Sequence, residues 1–233
     1  ANNSILATQI STINEIANLA NEVGKIDMNE VVKGIHLDKR WNPIIKNSRL
    51  NPEILNYLRP GCGFGGSCFT KDIQAIKAQG KKFNLPMNIM HAVLDVNEAQ
   101  PYTVINRLEK EAGKLENKNI LILGLAFKPG TDDVRESPSL KIITGLINEK
   151  ANIYAHDPVA IENFKISFGK NSSKIKFIKN LKDIIDKTDI IILVTPWEEY
   201  FSLNNFDFSN KIFFDTRGVF NKETFSNIKY LTI

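Results

Sequence analysis

Asn119-Ile120-Leu121-Ile122-Leu123-Gly124-Leu125-Ala126-Phe127-Lys128-Pro129-Gly130 is the stretch at which the pattern of the chain changes. Before it, apolar residues recur at three- and four-residue intervals; after it they come in short apolar runs. Ile120 to Phe127, Asn152 to Ala155, Ile175 to Ile178, Ile190 to Val194 and Ile212 to Phe214 are such runs, separated by helix-like segments. That alternation predicts a parallel sheet with helices on both faces, and Tyr230 to Ile233 adds an edge strand. With the boundary near Glu116, residues 1–116 read as an all-α region and residues 117–233 as an α/β, Rossmann-like domain with a mostly parallel sheet.

Such a sheet invites a dinucleotide, so the turn after its first strand must be compared with Gly-x-Gly-x-x-Gly. It does not match. Gly124 and Gly130 lie six apart, and Lys128 and Pro129 stand where a pyrophosphate needs close backbone approach. Asp157, after the second strand, could imitate a ribose-binding acid, and an Asp-Pro turn explains it as well. Lys128, Asp157, Thr195 and Arg217 fall at the carboxyl ends of strands, where open sheets bind ligands. The two cations suit a phosphate-bearing ligand; solvated loop charges are the alternative.

In the other direction, Ser4 to Val23 carries one long helix, stopped by Gly24. Asp27 and Glu30 form a capping-box-like start for a short helix ended by Gly34. Asp38 to Leu58 reads as a loop with at most a short helix around Pro52 to Tyr57. Helices follow from near Asp72 to Gly80 and from Pro86 toward Gly113, the second kinked or restarted at Pro101.

Between them lies Pro60-Gly61-Cys62-Gly63-Phe64-Gly65-Gly66-Ser67-Cys68-Phe69-Thr70-Lys71-Asp72, with four glycines in six positions. Thr70 reads as the cap of the helix, which places Cys68 just before its N-terminus. The positive end of a helix, with Lys71 nearby, suits a nucleophilic sulfur beside an oxyanion-friendly loop. A small packed cysteine is the alternative.

Composition narrows the classes. The 233 residues carry a formal charge of +4, with scattered lysines that argue only weakly for nucleic acid. No apolar run approaches the roughly 20 residues that span a bilayer. Cys62 and Cys68 make no disulfide framework and lack the company of a metal-ligand set, and His36, His91 and His156 have no metal-like spacing. A reduced, cytoplasmic setting with no metal, no membrane and no nucleic-acid partner is expected. Ala1-Asn2-Asn3 runs into a helical pattern without a methionine, so a preceding portion is expected to have been left out.

Gly63-Phe64-Gly65-Gly66-Ser67-Cys68-Phe69-x-Lys71-Asp72 resembles the active-site signature of the nucleotide-sugar dehydrogenases, the family containing UDP-glucose 6-dehydrogenase and GDP-mannose dehydrogenase. Gly124 to Pro138, Asp157-Pro158 and Asp215-x-Arg217 resemble the family's nucleotide-sugar-binding domain. Ala1-Asn2-Asn3, Asn14-Glu15 and Asp38-x-Arg40 resemble its central helical region. The family's N-terminal Rossmann domain, which holds most of the NAD site, has no counterpart in the chain.

The resemblance implies oxidation of the sugar C6 alcohol to a carboxylate with reduction of two NAD, UDP-glucose being favoured as substrate. It implies Cys68 as the nucleophile that forms a thiohemiacetal and then a thioester, Asp72 as the active-site acid, and Asn3 as the partner of the water and oxyanion. Lys128, Arg217, Tyr57 and Gly65 would hold the nucleotide sugar, Arg40 would reach into a neighbouring subunit's site, and Arg135 would lie near NAD or the sugar. It further implies that the first helix serves homodimerisation, that the product feeds polysaccharide precursor synthesis, and that the fragment alone is inactive. Thr70 stands in place of the usual proline, Cys62 is atypical, and the loop from Trp41 to Arg59 is longer than in UDP-glucose enzymes. Ser67 before the cysteine favours the UDP-glucose or GDP-mannose branches, since N-acetylmannosamine enzymes tend to carry histidine there. Two readings from other classes are a non-catalytic nucleotide-sugar-binding and dimerisation module, and a cysteine-dependent acyl transferase or hydrolase, for which no histidine lies near Cys68.

Overall fold

The computed structural model describes residues 1–206, 208–221, 225 and 228–233. Helix α1 spans Asn2–Val23 and ends at Gly24. Helix α2, Met28–Leu37, is capped by the Asp27 carboxylate accepting from the Asn29 N–H. It passes through Gly34 instead of stopping there. An interior glycine costs about 1 kcal/mol relative to alanine, and the packing of Val32 and Ile35 on the core offsets it. The predicted loop after it contains a hairpin, β1 (Ile44–Ile45) and β2 (Ser48–Arg49), turned by Lys46 and Asn47 at positive φ. A 3-10 helix, Glu53–Leu58, falls where a short helix is predicted. Helices α3 (Ser67–Lys82) and α4 (Asn88–Ala112) complete the helical half, and Pro101 lies inside a continuous α4.

Six strands follow: β3 (Asn119–Leu123), β4 (Asn152–His156), β5 (Ile175–Phe177), β6 (Ile190–Leu193), β7 (Ile212–Asp215) and β8 (Lys229–Thr232). They form one wholly parallel sheet in the order β5-β4-β3-β6-β7-β8. The order reverses between β3 and β6, so the carboxyl ends of those two strands flank a topological switch point, the usual ligand position of an open α/β sheet.

Alternate residues of each strand face opposite sides. Ile120, Ile122, Ile190, Ile192 and Phe214 turn toward α1, α4, α5 (Pro138–Asn148) and α6 (Ile161–Phe168). Leu121, Leu123, Ile191, Leu193 and Phe213 face Ile184, Ile185, Tyr200, Leu203 and Phe220. Helices on both faces were expected, but the second face is covered by short 3-10 turns and packed rings. Bulky aromatic side chains cover in a few residues what an α-helix covers in several turns. Ile13 and Ala17 of α1, Ile105 and Leu108 of α4, and Ile142 and Leu146 of α5 belong to a single core with the sheet. Among the described residues no helix is long and apolar enough to cross a membrane.

At the end of β4 the His156 ring is buried, its Nδ1 2.9 Å from the Tyr200 hydroxyl, which donates to the His156 carbonyl at 3.0 Å. Burial holds the imidazole below its usual range, against the pull of Glu199 and Asp157. The unfolded chain therefore takes up a proton first as the pH falls through about 6.5, which removes stability. The melting temperature is expected to drop between pH 7 and 5, and by less in His156→Asn; equal slopes by calorimetry would contradict this.

Candidate active site

Pro60 to Ser67 leaves the helical half and lies against the loops that follow β3 and β7. The Gly66 N–H donates to the Arg135 carbonyl at 2.8 Å. A methyl group added at Gly65 would stand 2.5 Å from the Glu136 carbonyl oxygen, so only glycine permits this approach. Gly66, at φ 77°, caps α3 without a side-chain bond. The helix therefore starts at Ser67, five residues earlier than Thr70 and Asp72 imply. Thr70 is not its cap, and Cys68 is the second residue within the helix. Its first N–H groups have no helical acceptor and lend the terminus its positive character.

Cys68 is exposed and Cys62 is fully buried. The packed-cysteine alternative describes Cys62. Cys68 opens on a cleft of about 430 Å³ lined by Tyr57, Arg59, Phe64, Gly65, Phe127, Lys128, Arg135 and Arg217, among others. The structure thus gathers six of the sequence-derived site residues: Cys68, Gly65, Tyr57, Lys128, Arg135 and Arg217. Tyr57 and Phe64 flank Phe69, with ring centroids 6.2 and 5.5 Å from it. Lys128 Nζ lies 5.4 Å from the centre of the Phe127 ring.

The arginines are anchored differently. Arg217 donates from Nε to the Val194 carbonyl at 2.8 Å and from Nη1 to the Gly63 carbonyl at 3.2 Å, tying the end of β6 to the glycine loop. Arg135 makes a forked contact with Asp133, its Nη2 2.7 Å from Oδ2. That contact raises the guanidinium above its usual range, with a small contribution from Cys68, and holds the Asp133 carboxyl below its own.

Asp72 stands one helical turn beyond Cys68. Its Oδ2 accepts from Asn3 Nδ2 at 2.7 Å, and Lys71 Nζ is 3.7 Å from Oδ1. Asn3 and Asp72 pair with each other beside the cleft and do not line it. Arg40 is not brought to the site: its exposed side chain grips Asp38, whose carboxyl it holds down to about 2. Arg59, Phe127 and Asp133 also line the cleft, and the sequence reading did not single them out. Phe127 adjoins Lys128, and Arg59 and Asp133 lie two positions from Tyr57 and Arg135, but lining is a property of the closed loop rather than of spacing.

Asp157 is absorbed by the fold. Its Oδ2 accepts from the N–H groups of Leu125 (2.7 Å) and Ala126 (3.1 Å) and from Trp197 Nε1 (3.0 Å). Its Oδ1 accepts from Val159 and Ala160, which makes the Asp-Pro turn. The amides that would meet a pyrophosphate after β3 are thus taken by a buried carboxylate, and this sheet does not fit a dinucleotide there.

Comparison with known proteins identifies the class. Residues 1–99 match the central domain of the UDP-glucose/GDP-mannose dehydrogenase family, and residues 121–222 match that family's UDP binding domain. The chain belongs to this family of nucleotide-sugar dehydrogenases, which are oxidoreductases. Among its relatives, UDP-glucose 6-dehydrogenase of Rickettsia conorii is 34% identical over 99% of this chain and 51% of its own length. UDP-glucose 6-dehydrogenase TuaD of Bacillus subtilis is 35% identical over 85% of this chain and 40% of its own. The structure of a UDP-glucose dehydrogenase from Pyrobaculum islandicum superposes with a TM-score of 0.81 at 34% identity, covering 99% of this chain and 48% of that one. The chain spans about half the length of the relatives it matches.

Proposed function

We propose that the chain supplies the catalytic-cysteine and nucleotide-sugar-binding parts of an NAD-dependent dehydrogenase that oxidises the C6 alcohol of UDP-glucose to the carboxylate of UDP-glucuronate. The observation that carries this reading is the exposed Cys68 on a cleft shared with Lys128, Arg135 and Arg217, in a member of this family. Residues 1–116 form the helical, cysteine-bearing unit and residues 117–233 the nucleotide-sugar unit. NAD would supply the oxidising power, accepting two hydrides per sugar; with the β3 turn closed to it, it would bind elsewhere, and Arg135 is the residue of this chain that would lie near it or the sugar.

Cys68 sulfur adds to the C6 aldehyde and forms a thiohemiacetal, whose oxidation leaves a thioester. Thiolate is both a good nucleophile and a tolerable leaving group, which divides one difficult oxidation into accessible steps. Water then breaks the C–S bond, releasing the carboxylate and regenerating the thiol. Asp72 positions that water, and Asn3, bonded to Asp72, stabilises the developing oxyanion. Lys128 and Arg217 bind the diphosphate while Tyr57 and the Gly65 backbone border it.

The enzyme acts as a cytoplasmic homodimer supplying polysaccharide precursors. Its α1 leaves Ile5, Leu19 and Val23 exposed, a face that a second copy would cover, and Arg40, which lies outside its own cleft, would reach the partner's. The lack of a dinucleotide turn favours a second reading, a non-catalytic nucleotide-sugar-binding and dimerisation module. NAD reduction by this chain alone would exclude it.

A thermal-shift titration tests the assignment. UDP-glucose is expected to raise the melting temperature, with about 2.7 kcal/mol of added stability at a hundredfold excess over Kd, while NAD has no effect. Stabilisation by GDP-mannose or a UDP-N-acetylhexosamine instead would change the substrate. Stabilisation by NAD alone would overturn the roles of Lys128 and Arg217.

A further inference from the structure

We infer that Asn97 and Gln100 of α4, with Asn14 of α1, are positioning residues that hold the Gly61–Phe64 backbone and thereby fix the first turn of α3 and Cys68. The inference rests on the reading of Cys68 as the reacting group. Asn97 Oδ1 accepts from the Phe64 N–H at 2.7 Å, and its Nδ2 donates to the Phe64 carbonyl at 3.1 Å. Gln100 Nε2 donates to the Gly61 carbonyl at 2.9 Å, and Asn14 Oδ1 accepts from the Gly61 N–H at 2.7 Å. Three side-chain amides thus satisfy both backbone groups of both residues, doing for a loop what a neighbouring strand does in a sheet.

The arrangement is built into the helices. Asn14 and Gln100 are fully buried, and Asn18 Nδ2 donates to Gln100 Oε1 at 2.9 Å, which fixes the orientation of the Gln100 amide. Asn14 Nδ2 has no partner among the described residues, so this amide is retained at a cost that its bond to Gly61 offsets. Pro101 follows Gln100 directly and has no N–H, leaving the Asn97 carbonyl without its helical donor where the loop docks. From Phe64 only Gly65 and Gly66 separate the held segment from α3, so displacement at Phe64 passes to Cys68 with little slack.

The test uses Asn97→Leu, which keeps the volume and removes both bonds, and Asn97→Asp, which keeps the acceptor for the Phe64 N–H. Gln100→Met serves as a second isosteric probe. In the 233-residue chain, Asn97→Leu is expected to lose protection from hydrogen exchange about tenfold at Phe64, whose N–H it leaves without its acceptor, and Gln100→Met about threefold at Gly61, whose N–H keeps Asn14 while its carbonyl is released. Both should change the rate of Cys68 alkylation by iodoacetamide at pH 7 about threefold, because the first turn of α3, which presents the sulfur to the cleft, is no longer held. Asn97→Asp should recover part of each change. In the complete dehydrogenase, Asn97→Leu should lower kcat about tenfold with the KM for nucleotide sugar within twofold. Unchanged exchange, or faster exchange with unchanged alkylation in both isosteric variants, overturns the inference. If the alkylation result holds while the complete protein oxidises no nucleotide sugar, the positioning stands and the dehydrogenase reading falls.

Discussion

Cys68→Ser in the complete dehydrogenase is expected to lower turnover by roughly 10³-fold or more while leaving nucleotide-sugar binding intact. An alcohol is less nucleophilic than a thiolate, and an ester is a poorer intermediate than a thioester for the second oxidation and hydrolysis. Because Cys68 is exposed on the cleft wall and belongs to none of the three buried cores, the change should move the melting temperature little. The measurements are NAD reduction followed by absorbance and a ligand thermal shift on the same variant. Normal turnover would remove Cys68 from the chemistry and with it the proposed reaction. Lost turnover together with lost binding would point instead to a collapsed cleft.

Asp157→Ala carries the largest expected cost to stability. Its carboxylate accepts five hydrogen bonds, four from backbone N–H groups and one from Trp197, and only 2% of the residue is exposed. Removal leaves buried donors unpaired, and hydrogen bonds to a charged group contribute about 1.5–3 kcal/mol each, with partial relaxation offsetting some of the loss. A destabilisation on the order of 4 kcal/mol follows, a fall in melting temperature of roughly 8–16 °C for a chain of this size. Asp157→Asn should cost less, since its one remaining oxygen can keep part of the set. If Asp157→Ala melted within about 2 °C of the parent, the carboxylate would not be organising the loops after β3 and β4.

The strands were legible because each is a short apolar run whose alternate residues are buried on opposite faces, a local pattern. The failure of the dinucleotide fingerprint was legible too, although Asp157 showed its purpose only once the folded loops brought the amides of Leu125 and Ala126 to it. The start of α3 was misplaced because Thr70 is a favoured cap by type, whereas the real start is set by a bond from Gly66 to Arg135, sixty-nine positions along the chain. No local rule reads such a contact. The hairpin at Ile44–Arg49 escaped notice because two-residue strands have no periodicity to detect. The sequence singled out Cys68 by its glycine-rich approach, and the fold leaves it exposed on the cleft, though inside the first turn of α3 and not before it. The roles assigned to Asn3, Tyr57 and Arg40 came from resemblance alone; the fold pairs Asn3 with Asp72 and seats Tyr57 on the cleft, but leaves Arg40 outside it.

The core that α1, α4 and α5 share with the sheet has a mechanical consequence. Two units that bury side chains in one common interior have no plane of easy shear between them, so they cannot open and shut like jaws. The cleft on which Cys68 lies is then walled by loops that spring from one shared interior, and heating should melt the helical and sheet halves together in one transition.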